Sequence, residues 1–172
     1  MNIHFEPLAI NESLAQQMAN WYNDPEIAPF VHPTFTESEP HHFTSQDVLD
    51  QHHPNPKILK FLIMDDDFPI GEFSITEDFQ WLLSPKEDTA WISICIGEKT
   101  YWGKGISKIS MKTIEDICRT LGFKRIELGV FENNHKAHQL YQKMGYVQFA
   151  KTEHMTYSQG EWRTDLRMGK ML

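Results

Sequence analysis

The stretch TYWGKGISK, residues 100–108, places two glycines around a lysine where an apolar run gives way to an amphipathic one. The β-rich run TAWISICIG precedes it, and Ile106, Ile109, Ile114, Ile117 and Leu121 fall roughly on one helical face after it. The chain therefore turns from a strand into a helix at Gly103–Gly105. At such a corner the first backbone N–H groups of the helix have no partner within it, and the helix dipole adds positive potential. Glycine leaves out the side chain that would keep an anion away. The turn reads either as a cradle for a phosphate or pyrophosphate, with Lys104 or Lys108 adding charge, or as a tight turn whose glycines relieve backbone strain.

The surrounding pattern predicts a strand at NIHFEPL, then a helix over NESLAQQMANWYNDPEI capped by Asn11 or Ser13 and ended at Asp24-Pro25. Prolines and histidines dominate residues 28–56, a loop-and-helix region in which only SQDVLDQH looks helical. KILKFLIMDDDFPIGEFSIT reads as two strands around an acidic turn at Asp65–Asp67, and TAWISICIG as a central strand. Beyond a helix stop at Gly122 come the strand RIELGV and a helix from about Asn134 to Met144. That helix carries Ala137, Leu140, Tyr141 and Met144 at buried-stripe spacing and stops at Gly145. YVQFA and TDLRMGK form two last strands around a turn at Gly160. This order predicts a mixed α/β (α+β) fold on one sheet, and 172 residues fit a single domain spanning 1–172.

Sixteen basic residues against 24 acidic give a net charge of -8, which speaks against nucleic acid or an anionic membrane as partner. No apolar run reaches the roughly 20 residues that span a bilayer, and the start lacks the order of a signal peptide, so a cytoplasmic protein is expected. The two cysteines, Cys95 and Cys118, offer neither a disulfide framework nor a CxxC metal pattern. The nine histidines include pairs at His41-His42 and His52-His53 and a helix pair at His135 and His138, none with an evident third ligand. No metal is expected.

Two nucleotide motifs fail on spacing. A Walker loop would need Gly97 one residue closer to Gly103 and a Ser or Thr in place of Gly105. The dinucleotide pattern GxGxxG meets Lys108 where its third glycine belongs. ICIGEKTYWGKGIS followed by ENNHKAHQLYQKMGY instead resembles the GNAT N-acetyltransferase superfamily, in particular its branch similar to ribosomal-protein N-acetyltransferases and spermidine acetyltransferases. WYNDPEI near the start is similar to the same branch.

The resemblance implies a mostly antiparallel central sheet flanked by helices, with acetyl-CoA as co-substrate and an amine-bearing acceptor. The family pattern Gln/Arg-x-x-Gly-x-Gly/Ala, which binds the cofactor pyrophosphate through backbone amides, falls here on Trp102, Gly103, Lys104, Gly105, Ile106 and Ser107, with Lys108 adjacent. Trp102 replaces the polar first residue and Ser107 the last small one. The resemblance further implies that the central strand splays from its neighbour, so that Ile94, Cys95 and Ile96 offer backbone groups to the pantetheine arm. It matches Asn134 to an asparagine seven residues before a tyrosine, and Tyr141 to that tyrosine.

Acetyl transfer needs a neutral amine, a stabilised oxyanion and a proton for the departing thiolate. Tyr141 fits the last role, while its place on an apolar stripe fits core packing equally. At positions where relatives carry a basic carboxylate, this chain has Trp91 and Gly129. Glu72, Glu127, Glu132, or ordered water remain as the base. Trp21, Tyr22, Phe30, Phe35 and Trp162 are expected walls for an acceptor, with Glu26, Glu37 or Glu39 for its charge. An acetyl-CoA-dependent N-acetyltransferase acting on a small-molecule or peptide amine is the first reading. A non-catalytic CoA-binding module and a purely structural domain are the others, and monomer and homodimer both stay open.

Overall fold

The computed structural model describes residues 1–172. Its elements are β1 (Ile3–Pro7), α1 (Glu12–Asn23), α2 (Ala28–Val31), α3 (Ser45–Gln51), β2 (Ile58–Asp65), β3 (Phe68–Thr76), β4 (Thr89–Ile96), α4 (Ile106–Thr120), β5 (Arg125–Phe131), α5 (His135–Lys143), β6 (Val147–Ser158) and β7 (Glu161–Met171). The strands hydrogen-bond in the order β1-β2-β3-β4-β5-β7-β6. Pairing is antiparallel from β1 to β4 and between β6 and β7, and parallel between β4 and β5, which is the expected mixed, mostly antiparallel α/β class. The chain groups into two compact units: Met1–Ala9, Pro54–Glu127 and Met171–Leu172 in one, Ile10–His53 and Leu128–Lys170 in the other.

In the first unit, the β2–β3 hairpin closes on the acidic turn, with Asp66 at φ 48. Its register sets Phe61 beside Phe73 and Leu59 beside Ile75, and β4 continues the same face with Ile94 and Ile92. Phe61 stacks on Phe73 at 4.9 Å, and Phe5 meets Phe73 edge-on at 5.7 Å. The apolar stripe of α4 covers β3 and β4. That stripe is rotated from the expected one. Ile106, Ser110, Met111, Ile114, Glu115 and Cys118 are buried, whereas Ile109 and Leu121 are 44% and 50% exposed. Aliphatic spacing alone misplaced the face because two polar residues lie within it. The Ser110 hydroxyl donates to the Ile106 carbonyl at 3.0 Å, and Glu115 faces Arg119 at 3.7 Å.

The second unit is built on α1, whose cap is Asn11: its side chain accepts the Leu14 amide at 2.9 Å. Thr44 and Asp47 form a reciprocal capping box on α3. The irregular segment between these helices is tied down by Asn23, whose carboxamide exchanges two 2.8 Å hydrogen bonds with the Phe43 backbone. Trp21 and Tyr22, expected as acceptor walls, are core residues, each 4% exposed. Trp162 instead donates its indole N–H to Glu37 at 3.0 Å. The β6–β7 hairpin turns on Gln159 and Gly160, both at positive φ. Both strands run longer than alternation suggests, because β6 shifts register between Gln148 and Ala150 and again between Thr152 and Thr156.

β3 and β4 approach closely at Gly71, where a Cβ would run into the Cys95 carbonyl oxygen. Gly71→Ala is expected to destabilise the protein by about 2 kcal/mol, the usual cost of forcing a methyl into a filled space. Calorimetry should then show a melting temperature lower by roughly 4–8 °C.

Candidate active site

The site is set up by where one ladder ends. β4 pairs in parallel with β5 only from Thr89–Arg125 to Trp91–Glu127, and beyond Trp91 it pairs with β3 alone. Glu127 fixes that end. Its fully buried carboxylate accepts the backbone amides of Leu83 at 2.9 Å and Ser84 at 2.8 Å. A carboxylate held this way is a structural tie, which removes Glu127 from the bases considered above. The stretch containing Ile94, Cys95 and Ile96 keeps one edge free of strand pairing, as the splayed strand requires.

A 3-10 turn at Lys99–Tyr101 leads from β4 to the glycines. The Trp102 indole N–H donates to the Ile96 carbonyl at 2.9 Å, so the residue standing in the family's polar position ties the turn to the strand end. Gly103 at φ 76 and Gly105 at φ 81 occupy the left-handed region that favours glycine, and a Cβ on either would meet nothing within 4 Å. The Gly105 carbonyl accepts from Lys108 and Ile109, which starts α4. The amides of Gly103, Gly105, Ile106 and Ser107 find no acceptor in the protein. Four unpaired N–H groups around an exposed glycine corner at a helix start form an anion cradle that can hold a diphosphate. The Lys104 ammonium lies over the Tyr101 ring, 5.0 Å from its centre. The Tyr101 hydroxyl in turn donates to Asp65 at 2.8 Å. The backbone amide of Asn2 and then this hydroxyl hold the Asp65 carboxyl below its ordinary range, and the same bond pushes the Tyr101 phenol up. The cysteine thiols are both pushed up, Cys118 to about 12, chiefly by burial.

In the second unit, α5 carries the two remaining expected residues. The Asn134 side chain caps the helix, accepting the Ala137 amide at 3.3 Å. Asn133 beside it has both carboxamide atoms buried without a hydrogen-bond partner, a polar group that sequence reasoning passed over. Tyr141 is the buried residue of α5 and packs against Tyr146 at 5.9 Å between ring centres. Burial pushes its phenol up to about 12. Glu132 accepts the Thr164 amide at 3.0 Å. Trp91 stacks on Phe79 at 4.4 Å. The roles of Trp102, Tyr101 and Asp65 had only weak signals beforehand, namely aromatics just before the glycines and an acidic hairpin.

The profile described as Acetyltransferase (GNAT) family matches residues 15–146, more than half of the chain. The protein belongs to the GNAT acetyltransferase family. Among curated GNAT relatives, it is 41% identical over 49 residues to an uncharacterized N-acetyltransferase of Bacillus subtilis (strain 168), a match covering 28% of this chain and 31% of that protein. It is 37% identical over 62 residues to a protein named "Probable spermine N(1)-acetyltransferase" from Bacillus subtilis subsp. natto (strain BEST195), covering 36% of this chain and 41% of that one. The matches thus span less than half the length of these curated relatives. Among solved structures, spermidine N-acetyltransferase from Vibrio cholerae, in complex with CoA and spermine, superposes with a TM-score of 0.79. That match is 19% identical and covers 99% of this chain and 95% of the other, a likeness of fold.

Gly105→Ala is expected to raise the dissociation constant for acetyl-CoA roughly tenfold, because its methyl stands where the anion approaches, and to cost about 1 kcal/mol of stability from the left-handed backbone. Gly122→Ala, at φ 88 with equally open surroundings at the other end of α4, should cost the same stability and leave binding unchanged. Calorimetric titration of both variants separates anion binding from backbone strain.

Proposed function

We propose that the protein transfers the acetyl group of acetyl-CoA to a primary amine of a small molecule or a peptide amino terminus, by direct attack in a ternary complex. The observation that carries this reading is the set of unpaired amides at Gly103, Gly105, Ile106 and Ser107, next to a central strand with one unpaired edge. Family membership and relatives named as N-acetyltransferases of amines support it. The family profile draws on residues of both compact units, which supports reading 1–172 as one acetyltransferase domain. No helix is long and apolar enough to cross a membrane, and dependence on an intracellular thioester fits a cytoplasmic location.

Each residue then has a defined task. The glycine-corner amides, with Trp102 holding the turn and Lys104 and Lys108 adding charge, bind the diphosphate. Backbone groups of Ile94, Cys95 and Ile96 take the pantetheine arm, and one of their amides faces the developing oxyanion. Asn134 and the buried carboxamide of Asn133 offer polar groups at the start of α5. The acceptor ammonium sheds a proton, its lone pair forms the C–N bond as the C–S bond breaks, and the nitrogen loses a second proton to water. Tyr141 gives its phenolic proton to the departing thiolate and recovers one from water.

Because burial raises the Tyr141 phenol to about 12, it stays protonated across the neutral range and acts as a donor. Tyr141→Phe is expected to lower kcat on the order of a hundredfold or more with little change in acetyl-CoA affinity. The wild type should show no loss of kcat from this group until the pH approaches its raised value. Release of CoA, followed with polyamines, aminoglycosides, amino acids and peptide amino termini, tests the reading as a whole. Binding of acetyl-CoA without turnover on any acceptor would replace the enzyme with a CoA-binding module.

A further inference from the structure

Asp65, Tyr101 and Lys104 are linked side chain to side chain beside the glycine corner, all in the first unit. The Tyr101 hydroxyl donates to the Asp65 carboxylate at 2.8 Å, and the Lys104 ammonium lies 5.0 Å from the centre of the Tyr101 ring. That distance is within the roughly 6 Å over which an aromatic face attracts a cation. Asp65 is itself fixed at the last position of β2, where its carboxylate also accepts the Asn2 amide at 2.6 Å. None of these contacts is needed to shape the turn. The Tyr101 amide donates to the Glu98 carbonyl at 3.0 Å, its carbonyl accepts the Lys104 amide at 3.4 Å, and the Trp102 indole ties the turn to β4. Those bonds do not involve the Tyr101 side chain, so its anchored ring serves something else.

Lys104 sits between Gly103 and Gly105, whose amides are two of the four unpaired ones. A lysine side chain left to solvent samples many rotamers, and ordering it on a ligand costs on the order of tenfold in affinity. A ring beneath the ammonium removes part of that cost. The Asn2 amide, then the Tyr101 hydroxyl and, more weakly, the Lys104 charge hold the Asp65 carboxyl below its ordinary range. A negative charge is thus kept near a site for a diphosphate, which repels the ligand unless the carboxylate has a task there. We propose that Tyr101 is a positioning residue for acetyl-CoA: its ring, anchored by Asp65, holds the Lys104 ammonium at the glycine corner in advance, so that a preset cation faces the diphosphate. Tyr101 acts through Lys104, and its effect belongs to cofactor binding instead of the chemical step. The inference rests on the acetyltransferase reading and assigns part of its cofactor affinity.

Calorimetric titration of the full chain with acetyl-CoA tests it. Lys104→Met should raise the dissociation constant roughly tenfold. Tyr101→Leu, which removes ring and anchor together, should raise it about fivefold, and Tyr101→Phe, which keeps the ring, about threefold. Beside Lys104→Met the Tyr101→Leu effect should vanish, because the two side chains act as one. Asp65→Ala should weaken binding about two- to fivefold although it removes a negative charge near the anion, the opposite of what charge alone dictates. For the Tyr101 variants the loss should appear in KM for acetyl-CoA and not in kcat, and S-acetylpantetheine, which lacks the phosphates, should lose nothing in kcat/KM. A Tyr101→Leu effect that persists beside Lys104→Met, a loss on S-acetylpantetheine as large as on acetyl-CoA, or an Asp65→Ala variant that binds as tightly as the wild type overturns the positioning role and leaves acetyl transfer standing. Where Tyr101→Leu fails to fold, Tyr101→Phe decides alone, and an unchanged dissociation constant overturns the proposal. If the wild type does not bind acetyl-CoA, both readings fall together.

Discussion

The parallel ladder between β4 and β5 stops at Trp91 and Glu127, and the chemistry proposed for this chain depends on that stop. A central strand normally satisfies its backbone on both edges, and each buried group left unpaired costs about 1–3 kcal/mol. The stretch Ile92–Ile96 escapes much of this cost because Ser93 is exposed and Ile94, Cys95 and Ile96 are half-buried. The buried Glu127 side chain accepts two amides, which pins residues 83 and 84 at the point where pairing ends. A carboxylate that sequence pattern leaves as a proton acceptor is thereby committed to architecture.

Charge is handled differently at the glycine corner. The chain carries a net charge of -8, yet the unpaired amides of its glycine corner present positive potential. Screening reconciles the two, since at physiological ionic strength charges beyond about 8 Å lose most of their influence. What remains is local: four unpaired amides, the start of a 15-residue helix, and two nearby lysines. Trp102 contributes no charge. Its bond to the Ile96 carbonyl fixes the turn against the strand, and the positive charge is carried two residues on by Lys104. Lys104 in turn lies over Tyr101, which Asp65 anchors from the β2–β3 hairpin.

The parts legible in the sequence were those encoded by neighbours in the chain. Left-handed glycines, the Asn11 cap, the acidic hairpin and the helix stops at Gly122 and Gly145 all follow from residues a few positions apart. The parts that escaped depend on distant partners. Glu127 meets an amide 44 residues away, and Tyr101 meets a carboxylate 36 residues away. The α4 stripe was misphased for a different reason: Ser110 and Glu115 bond within the helix, to Ile106 and Arg119, and hydrophobic periodicity does not count such buried polar residues. Trp21 and Tyr22 were ambiguous because a large aromatic suits a core and a pocket wall equally. Only the packing around α1 decides between them.

The β2–β4 sheet carries polar side chains on the face turned away from α4. Replacing a buried charged pair by apolar residues of similar size is often neutral or stabilising, by up to about 4 kcal/mol. A face carrying Lys60, Glu72 and two hydroxyls is therefore a poor choice if the only requirement is to hold three strands together. The register already fixes these strands through Phe61, Phe73 and Ile94 on the other side. Nor do the charges serve solubility, because half-burial keeps both from full hydration. At the far end of this face Trp91 stacks on Phe79, so an aromatic pair and not a charge closes it.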